Sequence, residues 1–282
     1  MFALFNKPAF TALSAIALVA ALPLNAHAHR TWLLPSSTLV ESKDPWVTID
    51  AAVSENLFDL DAVGMKLDGL SVTGPDGANV KPENQFFGKL RNSFDLKLAK
   101  PGTYKVSVVA ESLMVSYKLK GEAKRWRGTE QEFKTDMPAG AEDLKIMRMH
   151  GRQETFVSAG KVDTKVFSTS GKGLELEPIT HPNDLRTGDP AKMRLLFNGK
   201  PAANLSLSLI PGGVRYRGLL GEIRLVADAK GEVSLTLPAA GMYWLSATHS
   251  QQATPVEGKS AGALEKAETK FSYSATLEVL PQ

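Results

Sequence analysis

The chain of 282 residues contains no cysteine. Disulfide bonds, thiolate metal sites and a cysteine nucleophile are therefore excluded. The motifs of several enzyme classes are also missing, because the sequence has no G-x-S-x-G, no H-E-x-x-H and no phosphate-binding P-loop. A catalytic triad built from distant residues would leave no such motif. Nothing in the sequence favours one, and we expect a binding protein and not an enzyme.

A strong excess of one charge is lacking too. The chain has 33 basic and 30 acidic residues, and so balanced a surface does not favour nucleic acid as a partner. After the first 28 residues, no apolar run is long enough to cross a membrane. We therefore expect a soluble protein with no nucleic-acid partner.

The first 28 residues read MFALFNKPAFTALSAIALVAALPLNAHA. One positive charge, at Lys7, precedes a short apolar stretch that ends in an A-x-A pattern. This order is typical of a secretory signal peptide cleaved after Ala28, although a buried N-terminal helix would show a similar apolar stretch. We predict export to the periplasm, with His29 as the first residue of the mature chain. Cleavage after Ala26 is the alternative, and it would place His29 third.

Helical periodicity is nearly absent, whereas apolar and polar residues alternate in many places. Leu205, Leu207 and Leu209 alternate with serines, which is the pattern of a strand with one buried face. Turn sequences such as GPDG, NGKP and DAKG separate these runs. Many short strands with frequent turns predict β-sandwiches and not an alternating βα architecture.

Two distant segments match each other. Residues 96–107 read LKLAKPGTYKVS and residues 235–246 read LTLPAAGMYWLS. The shared order of strand, glycine, tyrosine and second strand resembles the tyrosine corner of immunoglobulin-like sandwiches. We predict an all-β chain of two consecutive immunoglobulin-like or prealbumin-like β-sandwich domains, over residues 29–170 and 171–282. The small residues of STSGKG suit a linker near this boundary.

The histidines are the first candidates for a functional site, because histidine is the commonest metal ligand. As a terminal residue, His29 would offer an amine and an imidazole to one metal, a donor pair that suits copper or nickel. His181 lies in ITHPNDLRTGDP, a polar loop of a kind that also forms ordinary turns. His150 ends the sequence M-R-M-H. We predict that His29, His181 and His150 are candidate ligands of a divalent transition metal, namely Ni, Co, Cu or Fe.

Met147 and Met149 place two thioethers beside His150, and thioethers suit Cu(I). In an alternating strand, however, the two methionines share one face and His150 lies on the other. The sequence therefore favours core packing for Met147 and Met149.

A basic segment, KLKGEAKRWRGTEQ, surrounds a tryptophan. We predict a surface for an anion or a protein partner at Lys124, Arg125, Trp126 and Arg127. The alternative is a solvated hairpin in which the cations pack on the indole ring.

Several stretches together resemble a bacterial exported family known as a domain of unknown function. They are HRTWLLPS at the predicted mature start, KRWRGT and GRQETFVSAGK further on, and GLELEPITHPNDLRTGDP in the second half. Some members are accessory periplasmic components of nickel or cobalt uptake systems, and others resemble neighbours of TonB-dependent receptors in iron and siderophore uptake. The resemblance covers nearly the whole mature chain. It implies a periplasmic place, two sandwich domains and a role in transition-metal acquisition, and it assigns no site residues.

These patterns leave three candidate functions. The first is a periplasmic accessory protein that binds a metal ion or metal chelate and serves a membrane transporter or a TonB-dependent receptor system. The second is an adhesion or assembly module of the cell envelope, with the basic segment on its partner surface. The third is a copper enzyme that uses a terminal histidine. We favour the first, with binding and not catalysis as its activity.

Overall fold

The computed structural model describes residues 29–252, 264 and 267–282. The predicted signal peptide, residues 1–28, lies outside them. The described residues form mostly strands, with two short α-helices and one turn of 3-10 helix. None of these helices has the length and apolarity that crossing a membrane requires.

The elements of the described first half are, in chain order, β1 Arg30–Pro35, β2 Leu39–Val40, β3 Trp46–Ser54, β4 Val63–Gly64, β5 Leu70–Thr73, β6 Glu83–Phe87, β7 Asn92–Lys97, β8 Gly102–Leu119, β9 Glu122–Gly128, α1 Glu130–Asp136 and β10 Glu142–Ala159. The 3-10 turn Lys165–Phe167 follows. The elements of the second half are β11 Leu174–Pro178, β12 Leu185–Arg186, β13 Pro190–Phe197, β14 Lys200–Pro201, β15 Ser206–Pro211, α2 Val214–Arg217, β16 Ile223–Val226, β17 Glu232–Thr236, β18 Gly241–Gln251 and β19 Glu268–Leu280.

These strands form three sheets. The N-terminal sheet has five strands, in the order β1-β3-β7-β6 with β4 on β3, and the C-terminal sheet has four, in the order β11-β13-β14 with β17 on β13. The shared sheet has ten, along the path β16-β15-β18-β19-β10-β8-β5 with β2 on β10, β9 on β8 and β12 on β19, and takes strands from both halves of the chain. The halves meet where β10 runs parallel to β19, with Thr155 opposite Thr276.

The shared sheet is the layer that borders both main hydrophobic cores. Successive residues of a strand point to opposite faces. On β10, Phe156 enters a core with Leu195 of the C-terminal sheet, whereas Val157 enters a core with Ile49 and Phe94 of the N-terminal sheet. The predicted all-β architecture of two sandwiches is confirmed, with one sheet common to both. The predicted domain boundary near residue 170 stays a prediction.

Tyrosine corners are present in both halves. The Tyr104 hydroxyl donates to the Lys100 carbonyl at 2.8 Å and accepts from the Lys100 N–H at 2.8 Å. The Tyr243 hydroxyl donates to the Ala239 carbonyl at 2.9 Å. Burial raises the pKa of both phenols, so each remains a donor and fixes the turn before its strand.

The strands β8 and β10 have eighteen residues each and extend beyond the hydrophobic cores of the sandwiches. Buried positions concentrate in the first half of β8 and in the second half of β10. Their other halves pair with each other, and β9 adds to β8. We call residues 111–149 the arm. Its helix α1 begins with a capping box in which Thr129 and Glu132 bond each other's backbone N–H groups.

Candidate functional site

His29 lies at the rim of the N-terminal sheet, directly before β1. Its side chain is 58% exposed, and Nε2 lies 3.9 Å from Oε1 of Glu55. Arg30 opposes Ser54 in the β1–β3 ladder, so His29 and Glu55 are the next residues beyond the paired strands. Within the described residues, no hydrogen bond reaches either ring nitrogen of His29. The structure therefore presents an accessible imidazole beside a carboxylate.

The strand behind this rim is held from two sides. Trp32 is buried, and its Nε1 donates to Ser54 Oγ at 2.8 Å. Trp244, from the other half of the chain, donates through Nε1 to the Thr31 carbonyl at 2.9 Å. Trp32 belongs to a third hydrophobic cluster that joins the halves, and the partly buried Trp244 packs against it. The strand behind the rim is thus anchored in a buried part of the fold.

The Glu55 side of the rim is fixed by its own backbone. Arg30 Nη1 donates to the Glu55 carbonyl at 2.7 Å. The Asp61 carboxylate accepts from the backbone N–H groups of Glu55 and Asn56, each at 2.9 Å. Burial would raise the pKa of Asp61, but these hydrogen bonds outweigh it and lower the pKa. An ionised Asp61 therefore holds the loop that carries Glu55.

His181 joins the two halves of the chain. Its Nδ1 accepts from the Asn183 N–H at 3.1 Å, which assigns the proton of the neutral ring to Nε2. Nε2 lies 3.0 Å from the Asp163 carbonyl and 3.0 Å from Thr103 Oγ1. Burial lowers the pKa of His181 and so favours the neutral ring. A metal at His181 would have to displace one of these protein partners.

His150 faces a different part of the shared sheet. Its ring packs on Phe271 at 5.3 Å between centroids, and Nε2 lies 3.6 Å from the exposed Glu111 carboxylate. Nδ1 is buried without a hydrogen-bond partner among the described residues. Gly173 approaches so closely that an added Cβ would lie 2.6 Å from His150 Cε1. The ring is therefore enclosed on the Nδ1 side and accessible only on the Nε2 side.

The structure does not bring the three predicted histidine ligands together. His29 precedes β1, His150 lies on β10, and His181 lies in the loop before β12. Among the described residues, no group of three or more His, Asp or Glu side chains is arranged to hold a metal ion. Histidine and carboxylate side chains alone therefore supply no complete metal centre among the described residues.

The four residues of the predicted basic surface lie on two faces of the arm. Trp126 lies opposite Val115 and packs edge-on against Phe133 of α1, on the face it shares with Lys124. Lys124 pairs with Glu122 at 2.6 Å. Arg125 and Arg127 lie on the other face, exposed, and form no salt bridge with any described residue. The exposed cations of this surface that have no salt-bridge partner among the described residues are therefore the two arginines.

The expectation that Met147 and Met149 pack in a core is wrong. Both are only partly buried, and neither belongs to or packs against the three hydrophobic clusters of the described residues. The predicted alternation holds, since His150 faces the opposite side. The first half of β10 lies in the arm, however, so this face of the strand has no core to enter.

A buried charge network went unpredicted. The Arg152 guanidinium lies 3.3 Å from Glu154 and 3.5 Å from Glu175. Glu154 also accepts from the Tyr273 hydroxyl at 2.9 Å, and burial, together with Glu154, raises the pKa of Tyr273 well above its usual value. Glu175, on β11 of the C-terminal sheet, accepts from the Ser170 N–H at 2.7 Å, which ties the predicted linker to that sheet. Alternation alone would mark Arg152 and Glu154 as one face of a strand, but not as a buried face.

The fold and these sites define an all-β protein of two sandwiches that share a sheet. The chain belongs to the family described as "Domain of unknown function (DUF4198)", whose profile matches residues 26–251. No curated protein matches the sequence significantly.

Several solved structures are similar to the chain at low identity. The D0-D1 domain of intimin has 14% identity and a TM-score of 0.21, over 88% of this chain and 97% of that one. Trypsin-activated alpha-2-macroglobulin from Escherichia coli has 14% identity and a TM-score of 0.20, over 89% of this chain and 16% of that one. The two tandem V-type regions of VCBP3, a v-region-containing chitin binding protein, have 12% identity and a TM-score of 0.21, over 87% and 98%. At these TM-scores the likenesses carry no argument about function.

Proposed function

We propose that this protein is an exported accessory protein of transition-metal acquisition and that it binds its metal cargo at His29. The observation that carries the proposal is the rim before β1, where an accessible imidazole lies 3.9 Å from the Glu55 carboxylate. Imidazole nitrogen suits nickel, cobalt, copper and iron. The carboxylate adds an oxygen donor and a negative charge that offsets the charge of the cation.

The predicted signal-peptide cleavage completes the donor set. A mature chain that begins at His29 carries a terminal amine beside its imidazole. Such an amine loses its proton at about pH 8, so a metal ion can compete with the proton for the nitrogen. Amine, imidazole and the Glu55 carboxylate are then three donors at one rim. This set needs the amine, because the described His, Asp and Glu side chains alone form no group of three that could hold a metal ion.

The other two histidines fit a metal less well. His181 already bonds protein partners through both ring nitrogens, and one side of His150 is enclosed. The cargo is a bare ion or a chelate, which the protein passes to a membrane transporter or receives through a TonB-dependent receptor system. An accessible rim favours such a transfer, because the ion can leave without any opening of a core.

Calorimetric titration of Ni(II) and Cu(II) into the mature secreted protein tests the proposal, after mass spectrometry has identified its first residue. We expect His29→Ala to abolish the binding and Glu55→Gln to weaken it. A version that keeps a longer, histidine-free extension before His29 should bind at least about tenfold more weakly, because its amine has moved away. His249→Ala is the matched control, since that ring packs on Phe197 at 4.3 Å. Equal affinities of the wild type and His29→Ala would overturn the proposal.

A second candidate function is the envelope assembly module, and the two unpaired arginines of the arm favour it. If Arg125 and Arg127 hold an acidic partner, the Arg125→Ala/Arg127→Ala variant should lose envelope proteins that the wild type captures. Lys124→Ala should keep them, because Lys124 lies on the opposite face and pairs with Glu122. Capture of the same proteins by the double variant would exclude this function.

A further inference from the structure

Three methionines lie side by side on the face of the arm that carries Arg125 and Arg127. Met114 of β8 is directly opposite Met147 of β10 in the antiparallel ladder. Met149 follows Met147 by two residues, so it lies on the same face. The sequence hides this group, because Met114 is far along the chain from the other two.

The group is accessible and belongs to no core. Met114 is 41% exposed, whereas Met147 and Met149 are partly buried. None of the three is in, or packed against, any of the hydrophobic clusters of the described residues. Packing therefore does not explain why three large apolar side chains share this surface.

The spacing of the three residues suits one small ion. Opposite residues of an antiparallel pair have Cα atoms roughly 4.5–5.5 Å apart, and residues two apart on a strand are separated by about 6.8 Å. Methionine side chains are unbranched and flexible, so three sulfur atoms on these backbones can converge on one point. Thioethers are soft, uncharged donors that select Cu(I) and similar ions over hard divalent ions.

We propose that Met114, Met147 and Met149 form a binding site for a soft monovalent cation, Cu(I) or its analogue Ag(I). This site is separate from the rim at His29 in residues, donor type and preferred ion. The protein then has a nitrogen and oxygen site for a divalent ion and a sulfur site for a monovalent one.

Charged residues next to the methionines affect how tightly the site binds a cation. In the ladders, Arg127 is opposite Met114, Lys270 is opposite Met149 and Glu268 is opposite Met147. Two positive charges and one negative charge slightly repel a cation. The affinity for Ag(I) should therefore rise with ionic strength, and Arg127→Gln should increase it about twofold to threefold.

Titration of Ag(I) into the mature protein in nitrate buffer tests the proposal, with methionine methyl groups labelled for NMR. We expect about one bound ion per chain and a joint shift of the Met114, Met147 and Met149 methyl signals. The Met242 methyl signal, from a partly buried strand residue outside the group, should stay in place. The proposal is overturned if the methyl signals of the three residues move no more than that of Met242. This measurement needs no variant.

Variants give the second measurement. Each single change to leucine at the three positions should weaken Ag(I) binding about tenfold, and the triple change should abolish it. Met242→Leu is the matched control, and circular dichroism checks the fold of each variant. His29→Ala should keep the Ag(I) site, whereas the triple variant should keep Ni(II) binding at the rim. Unchanged Ag(I) affinity in the folded triple variant would refute the site.

Discussion

Replacement of Arg152 by methionine removes the cation from the buried charge network. Arg152, Glu154 and Glu175 are 7%, 4% and 3% exposed, and the two carboxylates share the one guanidinium. Methionine keeps an unbranched side chain but leaves both carboxylates buried without a cation. Removing one partner of a buried ion pair costs about 3–5 kcal/mol. We expect a loss of this size in the free energy of unfolding at pH 7.

The hydrogen bonds that remain decide where in this range the loss falls. Glu154 keeps donors from Ser107 at 3.1 Å and Tyr273 at 2.9 Å. Glu175 keeps the N–H groups of Ser170 and Gly171 at 2.7 and 2.8 Å. Hydrogen bonds to an ionised group stabilise the charge, so the loss should lie toward the lower limit, about 3 kcal/mol.

Urea unfolding at pH 7, followed by circular dichroism, measures this loss against a matched control. Arg194 also contacts two carboxylates, those of Glu177 and Glu232, but its side chain is 33% exposed. Exposed ion pairs are screened by solvent and contribute little to stability, so Arg194→Met should destabilise the protein much less than Arg152→Met. If Arg152→Met costs no more than Arg194→Met, burial of the network does not set its energy and the reasoning is refuted.

Three further predictions follow from the described contacts. Tyr104→Phe should destabilise the protein more than Tyr243→Phe in urea unfolding, by about 1 kcal/mol, because the Tyr104 hydroxyl bonds both the N–H and the carbonyl of Lys100 and the Tyr243 hydroxyl bonds one carbonyl. Because burial lowers the pKa of His181 in the folded protein, the imidazole binds a proton more tightly in the unfolded chain. The free energy of unfolding should therefore fall as the pH drops below about 6.5. The variant His181→Gln should lose this part of the pH dependence between about pH 7.5 and 5.5. Gly173→Ala should lower the thermal unfolding temperature, because φ is +68° and the new Cβ would lie 2.6 Å from His150. Gly171→Ala is the control, since its φ is +72° and its new Cβ would have no neighbour within 4 Å. It should lower the temperature less, because it adds the backbone strain without the clash.

Local pattern was enough to predict the fold class. Alternation with period two identified strands, and the repeated tyrosine segment identified sandwiches in both halves. The shared sheet could not be predicted from the sequence, because the parallel pairing of β10 with β19 joins residues more than a hundred positions apart. No local signal records which distant strand a given strand will pair with.

The candidate site was only partly predictable for the same reason. His29 was identified by its place after the predicted cleavage site, and its neighbour Glu55 follows from the β1–β3 register, which the sequence does not display. The sequence placed His181 in a polar loop but did not show the contacts with Thr103 and Asp163 that enclose its ring. The helix α1 was missed although Thr129 and Glu132 carry the capping-box spacing, because the apolar pattern after them is too short to mark a helix.

The methionines of β10 show how a correct local inference can lead to a wrong location. Alternation placed Met147 and Met149 on one face and His150 on the other, as the ladders have it. The error lay in assuming that the apolar face of a strand is a core face along its whole length. A strand of eighteen residues spans about 60 Å, far more than the usual strand of a sandwich, so the first half of β10 extends past the cores. The methionines on this face of the extension stay at least partly exposed, and an accessible group of like side chains calls for a partner or a ligand. For three thioethers, the ligand that their chemistry favours is a soft metal ion.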